Sequence, residues 1–297
     1  MKRLISCSAS DFAAMTPQEL KVAIFASAGR SVMSETIVAF EPLMRGLTNA
    51  EVASAFGADL ILLNFYDTLN PYILGLPGTP KNPIAELKRL IGRPVGINLE
   101  PVGTGKALES IETLPPGRRA SEETFLAAQA QGADYICLTG NPGTGVTNDA
   151  IEEAVRLCRK CFSGLIIAGK MHGAGIDEAV FDTDAFARFV KAGADIILVP
   201  APGTVPGVSE QDVTAAVRAI HQNGALALSA IGTSQESADA ATVREIALSS
   251  KRAGVDIQHI GDSAACGMAD PENILTLSIA IRGKRHTVFR MAGSVLR

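Results

Sequence analysis

The sequence predicts a single (β/α)8 barrel, and three observations carry that prediction. One unit recurs: Gly57-Ala58-Asp59 leads into LILLNF, Gly132-Ala133-Asp134 into YICLTG, Gly193-Ala194-Asp195 into IILVPA, and Ala253-Gly254-Val255-Asp256 into IQHIG. Between these entries lie four further apolar runs, RSVMSETIV from Arg30, RPVGINLEP from Arg93, GLIIAGKMH from Gly164 and ALALSAIG from Ala225. Helical stretches such as PIAELKRLIG, ASEETFLAAQAQG, DTDAFARFVKAG and SEQDVTAAVRAIHQNG separate them, and such alternation specifies parallel strands with right-handed crossovers. Eight units in 297 residues, 47% of them hydrophobic, match one closed barrel spanning residues 1–297. A doubly wound open sheet is the alternative. Neither G-x-G-x-x-G after the first strand nor G-x-x-x-x-G-K-[ST] occurs, so no nucleotide cofactor is expected.

Residues 1–29 read as a helical extension ahead of the barrel. Thr16-Pro17-Gln18-Glu19 combines an N-cap threonine, a proline at the first helical position and a glutamate three residues after the cap; Leu20, Ile24 and Ala28 then give one apolar face. Such a helix covers either the bottom of the barrel or a neighbouring subunit. At the other end, residues 283–297 form a basic tail, and Arg282-Gly283-Lys284-Arg285-His286 reads as a solvated face.

Charge and cysteine content exclude several classes. A net charge of −4 argues against nucleic acid, which needs clustered Lys and Arg. No segment approaches 18 consecutive apolar residues and the start has no signal-length apolar run, so a cytoplasmic protein without a membrane partner is expected. Five cysteines, an odd number, suit a reducing compartment; Cys158 and Cys161 fall within the helical pattern AIEEAVRLCRKC with no second pair to complete a zinc site.

In a barrel the chemistry sits where the strands end, so the last inward-pointing residues are the candidates. In RPVGINLEPVGTG, Val95, Ile97 and Leu99 fall on one side of an extended chain and Gly96, Asn98 and Glu100 on the other. A carboxamide and a carboxylate at the end of a buried strand, before a Pro/Gly loop, open into a cleft. The same rule selects Glu35 on the first strand, Asn64 and Asp67 on the second, Thr139 and Asn141 on the fourth, and Lys170 and His172 on the fifth. It adds Ser229 on the seventh and Asp262 after the eighth. Glu35, Asn98, Glu100, Lys170 and His172 are the expected catalytic set; Asn64, Thr139, Asn141 and Ser229 are expected to touch substrate. Gly232-Thr233-Ser234 and Gly261-Asp262-Ser263 are glycine turns at loops where barrels commonly hold phosphate, and are expected to bind an anion.

The order GADLILLN, PVGINLEPVGTG, GADYICLTG and GADIILVPAPGT resembles the phosphoenolpyruvate mutase/isocitrate lyase superfamily, barrels that make or break C–C and P–C bonds beside a carboxylate. The resemblance covers most of the barrel as a pattern of strands and loops. It implies a magnesium ion handled at the end of strand three, where Asn98 and Glu100, ahead of Gly103 and Gly105, match the family's two aspartates. The chain departs from the pattern at Asn98, at Asn64-Phe65 where the family has Ser-Gly, and at Thr139-Gly140 where it has an acidic pair. The family's Lys-Cys-Gly-His loop is missing, Lys160-Cys161 lying in a helix, so a divergent branch is expected.

Three functions follow as expectations. The first is a lyase or isomerase acting on a small phosphorylated or carboxylated metabolite, with Glu35 and Glu100 as acid/base groups or as ligands of one divalent cation, Mg2+ or another, with Glu100 the foremost ligand. The second is a Schiff-base aldolase with Lys170 as nucleophile and His172 as proton shuttle. The third is a non-catalytic phosphometabolite-binding barrel. A homo-oligomer is expected.

Overall fold

A computed structural model describes residues 2–297. Its eight strands are β1 (Ser31–Ile37), β2 (Leu60–Asn64), β3 (Val95–Leu99), β4 (Tyr135–Leu138), β5 (Leu165–Gly169), β6 (Ile196–Pro200), β7 (Leu226–Ile231) and β8 (Ile257–Ile260). All pair in parallel, each with its successor, and β8 closes on β1. This is the (β/α)8 barrel expected from the sequence. Helices α3 (Asn49–Ala55), α4 (Pro83–Ile91), α5 (Glu122–Gln131), α6 (Asn148–Cys161), α7 (Thr183–Ala192), α8 (Glu210–Gln222), α9 (Ala240–Ala253) and α10 (Pro271–Ala292) follow the strands in turn.

Strand alternation divides the core into two layers. Val32, Ile61, Leu63, Ile97, Ile136 and Ile166 pack against the helices, whereas Met33, Leu62, Tyr135, Cys137, Ile167 and Leu228 fill the barrel. The inward series then continues upward into polar residues: Glu35 above Met33, Asn64 above Leu62, Thr139 above Cys137. Gly96 lies below Asn98 because the ring of Tyr135 occupies the space a Cβ would need, its hydroxyl donating to the Ile61 carbonyl at 2.6 Å.

The repeated aspartate has a structural purpose. Asp59, Asp134, Asp195 and Asp256 each accept a backbone N–H from the first or second residue of the preceding odd strand, Val32, Val95, Ile166 and Ala227, at 2.8–3.1 Å. Each returns its own N–H to the carbonyl of the same residue at 2.8–2.9 Å. The motif thus staples strand pairs at the barrel floor and stands away from the rim.

The N-terminal segment plugs that floor. A 3-10 turn (Leu4–Ser6), α1 (Ala9–Ala14) and α2 (Pro17–Phe25) bring Leu4, Cys7, Phe12, Leu20 and Ile24 against the barrel interior. Thr16 and Glu19 form the expected capping box, and an unforeseen one joins Ser8 to Asp11 ahead of α1. Cys158 and Cys161 are free residues of α6.

The solvated basic tail requires correction. The chain remains helical to Ala292, with a kink at Gly283, and Arg282 and Arg290 turn inward to grip the two oxygens of Asp59 at 2.5 and 2.6 Å. Only Lys284 and Arg285 of the basic run are exposed as expected. No helix among the described residues is long and apolar enough to cross a membrane.

Candidate active site

A cavity of ≈ 480 Å³, open mouth included, lies at the C-terminal ends of the strands. Glu35, Asn64, Asn98, Thr139, Asn141 and His172 line it, as do Gly232, Thr233, Gly261, Asp262 and Ser263. The sequence rule therefore converges on one pocket for most of its candidates, and the pocket adds Glu236.

Glu35 is 3% exposed and meets a neighbour at each oxygen. Oε1 accepts from Nδ2 of Asn98, while Oε2 lies 3.0 Å from Nε2 of His259, a contact without hydrogen-bond alignment. His259 is wholly buried, and neither ring nitrogen has a hydrogen-bond partner. The alternation of IQHIG, with Ile257 inside, could have located His259 from sequence, since two residues on it must also point inward.

Beside this group Asn64 and Asn141 exchange hydrogen bonds at 2.7 and 3.0 Å, and Asn64 also donates to Asp262 at 2.9 Å. Burial, then the carboxylate of Glu35 and, more weakly, that of Glu236, push the Asp262 carboxyl well above the usual aspartate range, against the Asn64 hydrogen bond. Asp262 therefore carries a proton where an exposed aspartate would not. His172 is displaced in the neutral direction: burial lowers its pKa, and although Glu35 opposes this, Lys170 reinforces it. Its Nδ1 accepts from the Ala174 N–H at 3.1 Å, which leaves the hydrogen of the neutral ring on Nε2.

Several expectations change. Glu100 is 2% exposed and outside the cavity; Arg118 donates to its Oε1 at 2.5 Å and Asn141 N–H to its Oε2 at 3.2 Å. Arg118 is itself stacked 4.0 Å from the Phe65 ring centroid. An arginine thus stands where a metal was expected on Glu100, and Arg118 carried no sequence signal. Among the described residues no three His, Cys, Asp or Glu side chains gather into a cluster that could cage a metal ion. With both oxygens of Glu100 engaged by Arg118 and the Asn141 N–H, the end of strand three does not fit the Mg2+ that the resemblance implies there.

Lys170 lies just past the end of β5, whose Leu165 and Ile167 face the interior. It is 2% exposed, pairs with Glu178, and does not line the cavity. The expected Schiff-base lysine is a buried, paired cation one layer behind the pocket. Ser229 also points the wrong way: Leu228 and Ala230 take the interior, so its hydroxyl faces the helix layer and is buried there without a partner. Asp67 turns back to cap the N–H groups of Leu69 and Asn70 at 2.9 Å.

The expected anion site already contains a carboxylate. Oε1 of Glu236 accepts from the backbone N–H of Ser263 at 2.9 Å and from its hydroxyl, so both donors of Ser263 are taken. Thr233 donates to the carbonyl of Thr204 at 2.7 Å, and Ser234 is an exposed residue with left-handed backbone at φ 76°. Glu236 lies in a 3-10 turn (Gln235–Ser237), where no sequence periodicity singles it out.

Among solved structures the chain is similar to 2,3-dimethylmalate lyase, a PEP mutase/isocitrate lyase superfamily member. Identity is 12%, the TM-score 0.50, and 84% of this chain and 81% of that one are covered. It is also similar to thiamine phosphate pyrophosphorylase from Pyrococcus furiosus, at 15% identity, TM-score 0.48 and coverage of 86% and 97%. Oxaloacetate acetylhydrolase with its product oxalate gives 16%, 0.47, and 93% and 86%. These are likenesses of fold at low identity. No curated protein matches the chain by sequence. Residues 5–297 match a family profile almost end to end, and the chain belongs to the family described as "Domain of unknown function (DUF7916)".

Proposed function

We propose that the rim pocket is the active site of an acid–base enzyme of lyase type acting on a small polar metabolite. The observation that carries this reading is the placement of two carboxyls with opposite tasks in one cavity: Glu35, which accepts from Asn98 on one oxygen and faces His259 with the other, and Asp262, whose buried carboxyl favours its protonated form. A carboxyl raised by burial can serve as the acid beside a second carboxyl that serves as the base. Glu35 takes the proton of a substrate hydroxyl; the adjacent C–C bond breaks, leaving a carbonyl; the departing carbon keeps the electron pair and takes the proton of Asp262. Neutral His172, with its hydrogen on Nε2, donates to the oxygen on which negative charge develops. Asn64 and Asn141 orient Asp262 and the pocket wall.

The test is turnover of a library of small hydroxylated metabolites in D2O, followed by proton NMR. Cleavage should place one deuterium on the carbon that receives the proton, and Glu35→Gln and Asp262→Asn should each slow it by about 10²–10⁴. Undiminished turnover in Glu35→Gln would contradict the reading.

A further inference from the structure

We propose that the ligand of this pocket carries a positive charge, as a small protonated amine, in place of the phosphorylated or carboxylated anion expected from the sequence. The proposal rests on reading the pocket as the active site. Three carboxylic residues, Glu35, Glu236 and Asp262, line the cavity, with no lysine or arginine among its lining residues. The nearby cations are already matched behind the wall, Arg118 by Glu100 and Lys170 by Glu178. A second, independent observation is the kind of hydrogen-bonding capacity left unused.

Glu236 is 1% exposed, and while Ser263 occupies its Oε1, Oε2 has no partner. Oδ1 of Asn98 and Oγ1 of Thr139, on residues 4% and 2% exposed, also lack one. Two of these three atoms can only accept, and Oγ1 can accept as well. Buried acceptors without donors are costly, and a bound ammonium, with three donors and no acceptor, is the complement. An anion would meet Glu35 and Glu236 with the same sign of charge. Among the described residues no three His, Cys, Asp or Glu side chains converge as in an all-protein metal cage, and a divalent ion is the competing occupant that the experiment below tests with magnesium chloride. Asp262 is engaged by Asn64, whereas Oε2 of Glu236 is the cavity carboxylate oxygen left buried without a partner.

The experiment compares three probes of one size on the full chain at neutral pH: serinol (ammonium), glycerol (neutral) and glycerate (anionic). Binding is read from thermal shift and from the side-chain amide NMR signals of Asn98. Serinol should bind about tenfold or more tightly than glycerol, the range of one charge-assisted hydrogen bond, and glycerate more weakly than both. Glu236→Gln, which still offers Ser263 an acceptor, should bring serinol and glycerol to parity, while Glu236→Asp should keep the preference. Equal or absent responses to serinol and glycerol, tighter binding of glycerate, or a response to magnesium chloride alone in place of serinol would overturn the proposal. Turnover is read separately. Loss of the serinol preference with Glu35-dependent turnover intact would remove the charge assignment alone; Glu35-independent turnover with the preference intact would remove the acid–base reading alone.

Discussion

Nε2 of His259 on β8 lies 3.0 Å from Oε2 of Glu35 on the neighbouring strand β1, and both residues are buried. The pair is held from the other side by Asn98. Glu35→Gln is expected to lower kcat by about 10²–10⁴, the usual contribution of a general base, with far-UV circular dichroism unchanged. His259→Leu should act through kcat more than KM, since the ring positions the base.

Asp262 predicts a pH dependence of stability. Its folded pKa is raised, so the folded chain binds this proton more tightly than the unfolded one. Its contribution to stability is complete below the ordinary aspartate pKa and is lost as pH rises through the folded value. Asp262→Asn removes that loss. The Tm of the variant relative to wild type should therefore increase between about pH 4 and about pH 8 in matched buffers. A constant difference would contradict the shift.

Lys170 and Glu178 form a pair whose cationic side is enclosed and whose anionic side chain is 27% exposed. Removing Glu178 leaves an uncompensated buried ammonium. Glu178→Gln should cost stability toward the low end of the ~3–5 kcal/mol seen when a buried pair is broken, because water reaches the acid. Urea denaturation measures it. Borohydride with keto-acid or sugar-phosphate probes should trap no adduct at Lys170.

At the barrel floor, burial disfavours the charge on Asp59, yet the guanidiniums of Arg282 and Arg290 hold its carboxyl below the usual range. Asp59→Asn leaves two buried arginines facing an amide, and a loss of about 3–5 kcal/mol is expected. The wild-type contribution is present above the ordinary aspartate pKa and lost as pH falls through the lowered folded value. Acid unfolding of wild type and variant should converge at low pH.

Alternation and repeat spacing made the barrel legible, because both are local consequences of strand geometry. The same alternation placed Glu35, Asn64, Asn98 and Thr139 at the rim, where the structure brings them together. It failed at Ser229, where the inward series is Leu226, Leu228, Ala230, and at Lys170, which lies just past the end of β5. What stayed hidden was pairing across long separations. Nothing local joins Glu100 to Arg118, Lys170 to Glu178 or Ser263 to Glu236, yet these contacts decide which charges remain for a ligand. The repeated Gly-Ala-Asp was readable as a repeat, but its role as a staple of strand N-termini needed the hydrogen bonds.

The most direct test of the acid–base pocket is a carbon-13 NMR titration of the side-chain carboxyl of Asp262 in wild type and in Glu35→Gln. The pocket geometry predicts that Asp262 titrates well above the usual aspartate range in wild type and moves down when the charge of Glu35 is removed. A titration within the ordinary carboxylate range, unmoved by Glu35→Gln, would contradict it.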